Sequence, residues 1–441
     1  MPKRLVIICL INFLVAALMG LALRYSFIAP IGLNYRFLTH AHSHVAMLGW
    51  VYLMLYLLIV HYFIPNELPR CKHTRYQIPK KTNPKFQKKK EKRFKHLGIK
   101  PCEINKPVFT RLFWVTQLSV VGMMLSFPVQ GYAAISITFS TLHIFCSYYF
   151  VYLVWTQQQT KSKATQYLLK AALLFMVIST IGVWCLGPAA AILGQASAFF
   201  QIAIQFFLHF QFNGWFLIAV LAVFFHLLEI EYSTAFKRFF VLLISATVLT
   251  FALPLQWFAP FEGLLLLNAI GVILQMATLI AFLKLIRPKL YAFFQFKPPV
   301  ITNLYRFALI CVILKIVLPV ITLLPSFANV LFSHRNFIIG FIHLVMLGII
   351  SSFLLAFISQ MYFRKMGKTL NFGIYSFLLG IFLTEILLAI QGYQFYFGKG
   401  ILLNYYAFLF SFSILLPLGL FLFIYKFISS KTHERQTSKT P

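Results

Sequence analysis

Long apolar stretches separated by short polar segments run along the whole chain. A helix that crosses a bilayer needs about 20 predominantly apolar residues. Backbone groups inside lipid must be hydrogen-bonded within the segment, so each stretch is predicted to be a helix rather than a barrel strand of alternating polarity. The twelve stretches cover 5–23, 42–64, 112–129, 133–155, 168–186, 198–228, 239–255, 263–286, 305–324, 337–362, 370–391 and 401–424.

The composition agrees with a membrane protein and excludes several other classes. Hydrophobic residues make up 60% of the 441 positions and charged residues 11%, whereas a soluble domain carries about 25% charged residues. A soluble globular enzyme, a disordered chain and a coiled coil are therefore excluded. The sequence predicts an all-α polytopic integral membrane protein, with one transmembrane domain over 1–441 and the lipid bilayer as its surroundings.

The excess of basic residues indicates how the chain is oriented. There are 39 Lys and Arg against 8 acidic residues, for a net charge of +31, which in a soluble protein would suggest a nucleic-acid partner. Here 34 of the 39 basic residues fall on the two tails and on alternate loops. Because cytoplasmic loops carry the excess of Lys and Arg, both termini are predicted to be cytoplasmic, and no nucleic-acid partner is expected.

Two polar regions interrupt or follow the spans. The loop 65–110 is strongly basic and is predicted to be a solvated cytoplasmic insertion that touches anionic headgroups. The residues 429–441 are predicted to be a polar cytoplasmic tail. Cysteine and histidine in the basic loop offer an alternative, a zinc site, although their spacing is irregular: Cys71, His73, His96 and Cys102.

Histidines gather at one end of four predicted spans. Counting from His44, His143, His209 and His343 to the next cytoplasmic charge gives 18 to 23 residues, so each imidazole lies about 30 Å above that boundary. Ionisable residues inside a membrane are costly and suggest function. A shared metal or haem layer is predicted; the alternative is that each is a hydrogen-bonded core histidine. Seven histidines lie in or beside this layer: His40, His42, His44, His143, His209, His334 and His343.

A short motif is repeated on spans two, six and ten. A histidine is followed five positions later by glycine, which allows a neighbouring helix or a flat macrocycle to approach. The spacing of four spans predicts three pseudo-repeated four-helix arcs, each contributing one central helix. The copies are His44-Val-Ala-Met-Leu-Gly49-Trp50, His209-Phe-Gln-Phe-Asn-Gly214-Trp215 and His343-Leu-Val-Met-Leu-Gly348.

Other polar groups suggest further chemistry. The alternating triplet His40, His42 and His44 is a candidate metal site at the predicted outer surface. Arg36 and Arg335 flank the layer and are candidate partners for haem propionates.

Three ionisable residues in the spans are open to two interpretations. Lys315 lies in span nine, Glu385 in span eleven and Glu262 near the outer end of span eight. Their role is either functional, in proton transfer or as partners of a haem propionate, or structural, for example as a Lys315–Glu385 ion pair.

These motifs resemble subunit I of the haem–copper oxidase superfamily, which includes the nitric oxide reductases. His44 followed by Met47 is similar to that family's span-two motif, and His343 to its span-ten histidine. His209 with Asn213 resembles the span-six histidine region. The resemblance implies a low-spin haem b held by His44 and His343, a quinol or cytochrome electron donor, partner membrane subunits and a bacterial cytoplasmic membrane.

The pattern also departs from that family. The predicted span 239–255 lacks the family's paired histidines, and Phe341 stands where the resemblance implies the histidine that holds the active-site haem. The dioxygen-reducing site is therefore predicted to be incomplete. His143 and His334 are additional to the pattern and suggest copper, iron or a b-type haem, as in the similar NnrS-like membrane proteins.

A haem-binding redox protein, oxidoreductase-like if it is an enzyme, is the leading expectation. One alternative is a twelve-span secondary transporter, which would have two half-repeats and broken helices at the midplane. The other is an assembly factor that binds haem or copper for respiratory complexes.

Overall fold

The computed structural model describes residues 1–65, 106–363 and 365–429. Within those ranges helices are the only regular secondary structure, and there is no β-strand. Most of the predicted basic loop 65–110, including its four candidate zinc ligands, and nearly all of the predicted tail 429–441 lie outside the described residues.

Twelve helices are long and apolar enough to cross a membrane, which confirms the predicted fold class. Each contains one of the predicted stretches or nearly all of it, and most extend beyond it because polar residues also join the helix ends. In chain order, spans one to twelve are Lys3–Tyr25, Tyr35–Phe63, Pro107–Gln130, Ala134–Gln157, Lys163–Ile192, Ala198–Leu227, Thr234–Gln256, Glu262–Phe294, Pro299–Leu323, Arg335–Tyr362, Lys368–Tyr396 and Tyr405–Ser429.

Spans two, six and ten form the centre of the bundle. Between 72% and 78% of their most apolar windows is buried, against 33% to 56% in the other nine spans. The Trp50 indole donates a hydrogen bond of 2.9 Å to the Ser351 hydroxyl, which joins spans two and ten. The Phe224 and Phe353 rings lie 5.0 Å apart and join spans six and ten, and spans two and six also contact each other.

Each central span changes its helical geometry in the middle. A wider π-helical segment of seven or eight residues begins directly after the repeated histidine: Val45–Tyr52, Phe210–Phe216 and Leu344–Ser351. Such segments are rare and are often found at functional sites. Since residues i and i+5 are one turn apart in a π-helix, each repeated glycine stands one turn beyond its histidine.

The repeated glycines allow close helix packing. An added Cβ would meet Val120 at 2.8 Å from Gly49, Phe175 at 2.6 Å from Gly214 and Cys311 at 2.9 Å from Gly348. All three positions therefore confirm the expected close approach of a neighbouring helix. The three π-helical segments pack against spans one, five and nine respectively, which fits three arcs of four helices.

The π-helical segments divide each central span into two halves. We call the segments before them the histidine half: Tyr35–His44, Ala198–His209 and Arg335–His343. We call the segments after them the packed half: Leu53–Phe63, Leu217–Leu227 and Ser352–Tyr362. Most side chains of the packed half are aliphatic or aromatic, and such side chains can be buried without hydrogen-bond partners.

Candidate functional site

The predicted histidine layer is present at one end of the bundle, but its members face different spans. Two residues on the same helix that are two positions apart point in different directions, so equal depth does not bring side chains together. The structure distributes the histidines over a site between spans one, two, ten and eleven, a second site between spans two, three and four, and a cavity beside spans six to nine.

The first of these, the His42 site, contains His42 and His343. The His42 Nδ1 lies 2.8 Å from the Ala16 carbonyl oxygen. A carbonyl only accepts, so Nδ1 donates and Nε2 keeps its lone pair. His42 also packs against Gly20, where an added Cβ would come within 2.9 Å of its ring. His42 and His343 are close enough to interact electrostatically.

An acidic side chain supports the other imidazole of the His42 site. The His343 Nδ1 lies 3.5 Å from a Glu385 carboxylate oxygen, slightly longer than a hydrogen bond. Neither atom has another hydrogen-bond partner among the residues that the structure describes. Glu385 in turn lies beside Gly340, where an added Cβ would be 3.3 Å from its second oxygen. The Nε2 atom of His343 has no hydrogen-bond partner within the described ranges.

Arg24 also belongs to the His42 site, and sequence reasoning did not select it. It interacts electrostatically with Glu385 and with His343, and its guanidinium donates a hydrogen bond to the Ser413 hydroxyl. A signal was available, since Arg24 is one of only four basic residues predicted on the outer side. Because Arg24 directly follows the predicted stretch 5–23, the sequence alone assigns it to a loop.

The second site, the His143 site, contains the imidazoles of spans two and four. The His44 Nδ1 lies 2.9 Å from the His40 carbonyl, and the His44 ring lies 4.4 Å from that of Phe127 on span three. His143 is 4% exposed, interacts electrostatically with His44 and has an Nε2 atom without a partner. His44 therefore faces spans three and four, whereas His42 faces spans one and ten.

His209 belongs to neither site. Its Nε2 donates a 2.8 Å hydrogen bond to the Thr247 carbonyl of span seven, and it interacts electrostatically with Lys315 of span nine. The structure does not form the expected Lys315–Glu385 ion pair: among the described residues, the Glu385 carboxylate lies within 4 Å of the His343 imidazole and of no Lys or Arg side chain. Lys315 instead lines a cavity between spans six, seven, eight and nine.

The remaining predicted residues lie at the edge of the layer. The His334 Nδ1 and the Ser333 hydroxyl form a hydrogen bond of 3.0 Å in the turn before span ten. Three of them are exposed: Arg36, Arg335 and Glu262. Arg36 interacts electrostatically with His40 and Tyr132, and the Arg335 guanidinium lies 6.0 Å from the centre of the Tyr35 ring. Glu262 is the first residue of span eight.

The described residues contain no group of three or more His, Cys, Asp or Glu side chains that could hold a metal ion. A site with two imidazoles, as in the His42 site, is still enough for a six-coordinate haem. Comparison of the chain with models of protein families, and with curated proteins, finds no match.

Proposed function

We propose that the chain binds one haem b in the His42 site, with His42 and His343 as its axial ligands, and that it transfers electrons. The observation that supports this proposal is the hydrogen bonding of the ring nitrogens of His42 and His343. Ligating histidines almost always donate their other ring nitrogen to a carbonyl or a carboxylate. The His42 Nδ1 has the Ala16 carbonyl, the His343 Nδ1 faces Glu385, and both Nε2 atoms are left for a metal.

The surroundings of the pair fit such a group. The His343 and Glu385 side chains keep 22% and 17% of their surface accessible, so neither is fully covered by other described residues. Gly20 faces His42 where a larger residue would displace the ring. Arg24 adds a positive charge that can pair with a propionate.

The protein residues have definite roles in this proposal. The Ala16 carbonyl fixes the tautomer of His42, and the Glu385 carboxylate orients His343 and increases its basicity. A haem with two imidazole ligands supplies one-electron transfer. The sequence-based assignment to His44 stays a prediction. The proposal takes His42 instead, because His42 interacts electrostatically with His343, whereas His44 contacts Phe127 and interacts with His143.

Partners and location follow the same proposal. The electron donor is a quinol or a cytochrome, and partner membrane subunits bind the exposed apolar spans. The protein lies in the bacterial cytoplasmic membrane with both termini in the cytoplasm. The support is the charge asymmetry, since 34 of 39 basic residues fall on one predicted side.

The test is a dithionite-reduced minus oxidised absorption spectrum of the purified protein. We expect a b-type spectrum that is lost in His42→Ala and in His343→Ala and kept in His44→Ala, the matched control. Loss in His44→Ala with retention in His42→Ala would restore the sequence-based pairing. Wild-type protein without haem would overturn the proposal.

Metal analysis of the same sample tests the remaining cofactor expectation. Copper or iron at the other histidines stays a prediction, and the His143 site is where it would be held. Haem or copper bound without any electron transfer would favour the assembly-factor alternative.

A further inference from the structure

The cavity beside Lys315, the Lys315 cavity, lies apart from the His42 site. It has a volume of about 40 Å³ and is lined by residues of spans six, seven, eight and nine. A water molecule requires about 10–15 Å³ measured in this way, so the cavity has room for a few atoms. Most of its wall is apolar, and its polar lining comes from Thr247, Gln275, Thr278 and Lys315.

Lys315 brings a positive charge into this cavity without a compensating negative one. Its side chain is only 5% exposed, and no hydrogen bond or ion pair satisfies its ammonium among the residues that the structure describes. A buried ammonium is costly unless it is paired. His209, its neighbour, contributes no negative charge because its ring is a neutral donor to Thr247.

No described carboxylate is available to Lys315. The four glutamates that the structure describes lie elsewhere: Glu229 and Glu231 follow span six at its far end, Glu262 is exposed at the start of span eight, and Glu385 faces His343. The chain has no Asp. Any negative charge beside Lys315 would therefore come from outside the described protein.

Of the other polar groups that line the cavity, Gln275 alone can supply a further hydrogen-bond donor. The Thr247 and Thr278 hydroxyl protons are used by backbone carbonyls at 2.8 Å and 2.7 Å. Gln275 is 8% exposed, and its side-chain oxygen has no partner. Since amide nitrogen and oxygen are interchangeable by shape, rotation of the amide presents an N–H donor in place of the unsatisfied acceptor.

We propose that the Lys315 cavity binds one small monovalent anion of the class of chloride or formate. The Lys315 ammonium supplies the countercharge, and the Gln275 amide supplies a second hydrogen-bond donor. The volume limits the occupant to a monatomic ion or one of very few atoms, and the apolar wall disfavours a strongly hydrated divalent ion. This site is independent of haem in the His42 site.

The test is thermal unfolding of the purified full-length protein in detergent. Chloride or formate replaces gluconate at constant ionic strength, so that general salt effects cancel. We expect a saturable rise in Tm of about 3–5 °C at 100 times the dissociation constant. Lys315→Met should lose this rise, and Gln275→Leu should shift its midpoint to about tenfold higher anion concentration, which corresponds to one lost hydrogen bond.

Two controls keep the experiment decisive. Lys284→Met removes an exposed lysine of span eight and should leave the anion response unchanged. Lys315→Met removes an unpaired buried charge, so in gluconate it should unfold at or above the wild-type Tm. The proposal is overturned if neither anion stabilises the wild type more than gluconate does, or if Lys315→Met keeps the full response; in either case the cavity holds water alone.

Discussion

The two halves of the central spans differ sharply in packing although each span is one continuous helix. In the histidine half, buried residues number two of ten in Tyr35–His44, one of twelve in Ala198–His209 and none of nine in Arg335–His343. In the packed half they number eight of eleven in Leu53–Phe63, nine of eleven in Leu217–Leu227 and eight of eleven in Ser352–Tyr362.

The difference follows from what each half contains. Aliphatic and aromatic side chains of the packed half fill the space between three helices, and close packing of such groups stabilises a membrane bundle. The histidine half carries imidazole, hydroxyl and amide groups, which need partners and leave space around them. One end of the bundle therefore supplies stability, and the other end is free to bind ligands.

Removing a ring from the packed half should produce the largest effect. Phe224 is fully buried, with its ring 5.0 Å from that of Phe353. Phe224→Ala leaves a cavity and is expected to cost about 3–5 kcal/mol of unfolding free energy. The measurement is denaturant unfolding in mixed micelles.

The matched control for this variant lies on the same span. Phe199 is 49% exposed in the histidine half, and Phe199→Ala should cost less than about 1 kcal/mol. Equal losses in the two variants would show that the halves do not differ in their contribution to stability.

The junction between the halves should be sensitive to a single methyl group. A Cβ at Gly214 would lie 2.6 Å from the Phe175 Cβ, an atom too close to its backbone to move away. Gly214→Ala should therefore destabilise the protein by about 1–3 kcal/mol. In Gly187→Ala, on span five, the new Cβ meets nothing within 4 Å, and the same unfolding assay should give wild-type stability or slightly more. A neutral Gly214→Ala would mean that spans five and six can separate without cost.

Around the histidine half, substitutions of residues that contact its imidazoles should change ligand binding more than stability. Glu385 supports His343 from behind, so Glu385→Ala is expected to lower haem affinity by about 10–100-fold, as loss of such a partner usually does. Haem titration followed by absorption measures this. Glu262→Ala, the removal of an exposed carboxylate, should leave affinity unchanged, and an equal drop in both variants would contradict the assigned role of Glu385.

The sequence contained much of the fold and only part of the site. Apolar length determined the twelve spans, and the repeated His and Gly identified the central helices. Depth along a helix can be counted, whereas the direction of a side chain around the helix depends on its local geometry. The π-helical segments alter that direction, and nothing in residues 45–52 signals them. Sequence reasoning paired His44 with His343, which stays a prediction, and it overlooked Arg24 because that residue stands at the end of span one.

The smallest effect compares two equivalent tryptophans of the repeat. Trp50 and Trp215 each stand six residues after the repeated histidine and are almost fully buried. The Trp50 Nε1 donates to Ser351 at 2.9 Å, whereas the Trp215 Nε1 has no partner among the described residues. Trp50→Phe should therefore lose the packing of the larger ring and a hydrogen bond, and Trp215→Phe only the packing.

The difference between the two variants isolates that hydrogen bond, because the substitution and the burial are matched. We expect Trp50→Phe to be the less stable by about 1 kcal/mol. Adding Ser351→Ala to each variant should abolish the difference, since the hydroxyl then no longer distinguishes them. If Trp215→Phe is the more destabilising change, the Trp215 indole has a hydrogen-bond partner, such as a bound water or ligand beside His143. The tightly packed region of the central spans would then end before Trp215 on the way to the histidine half.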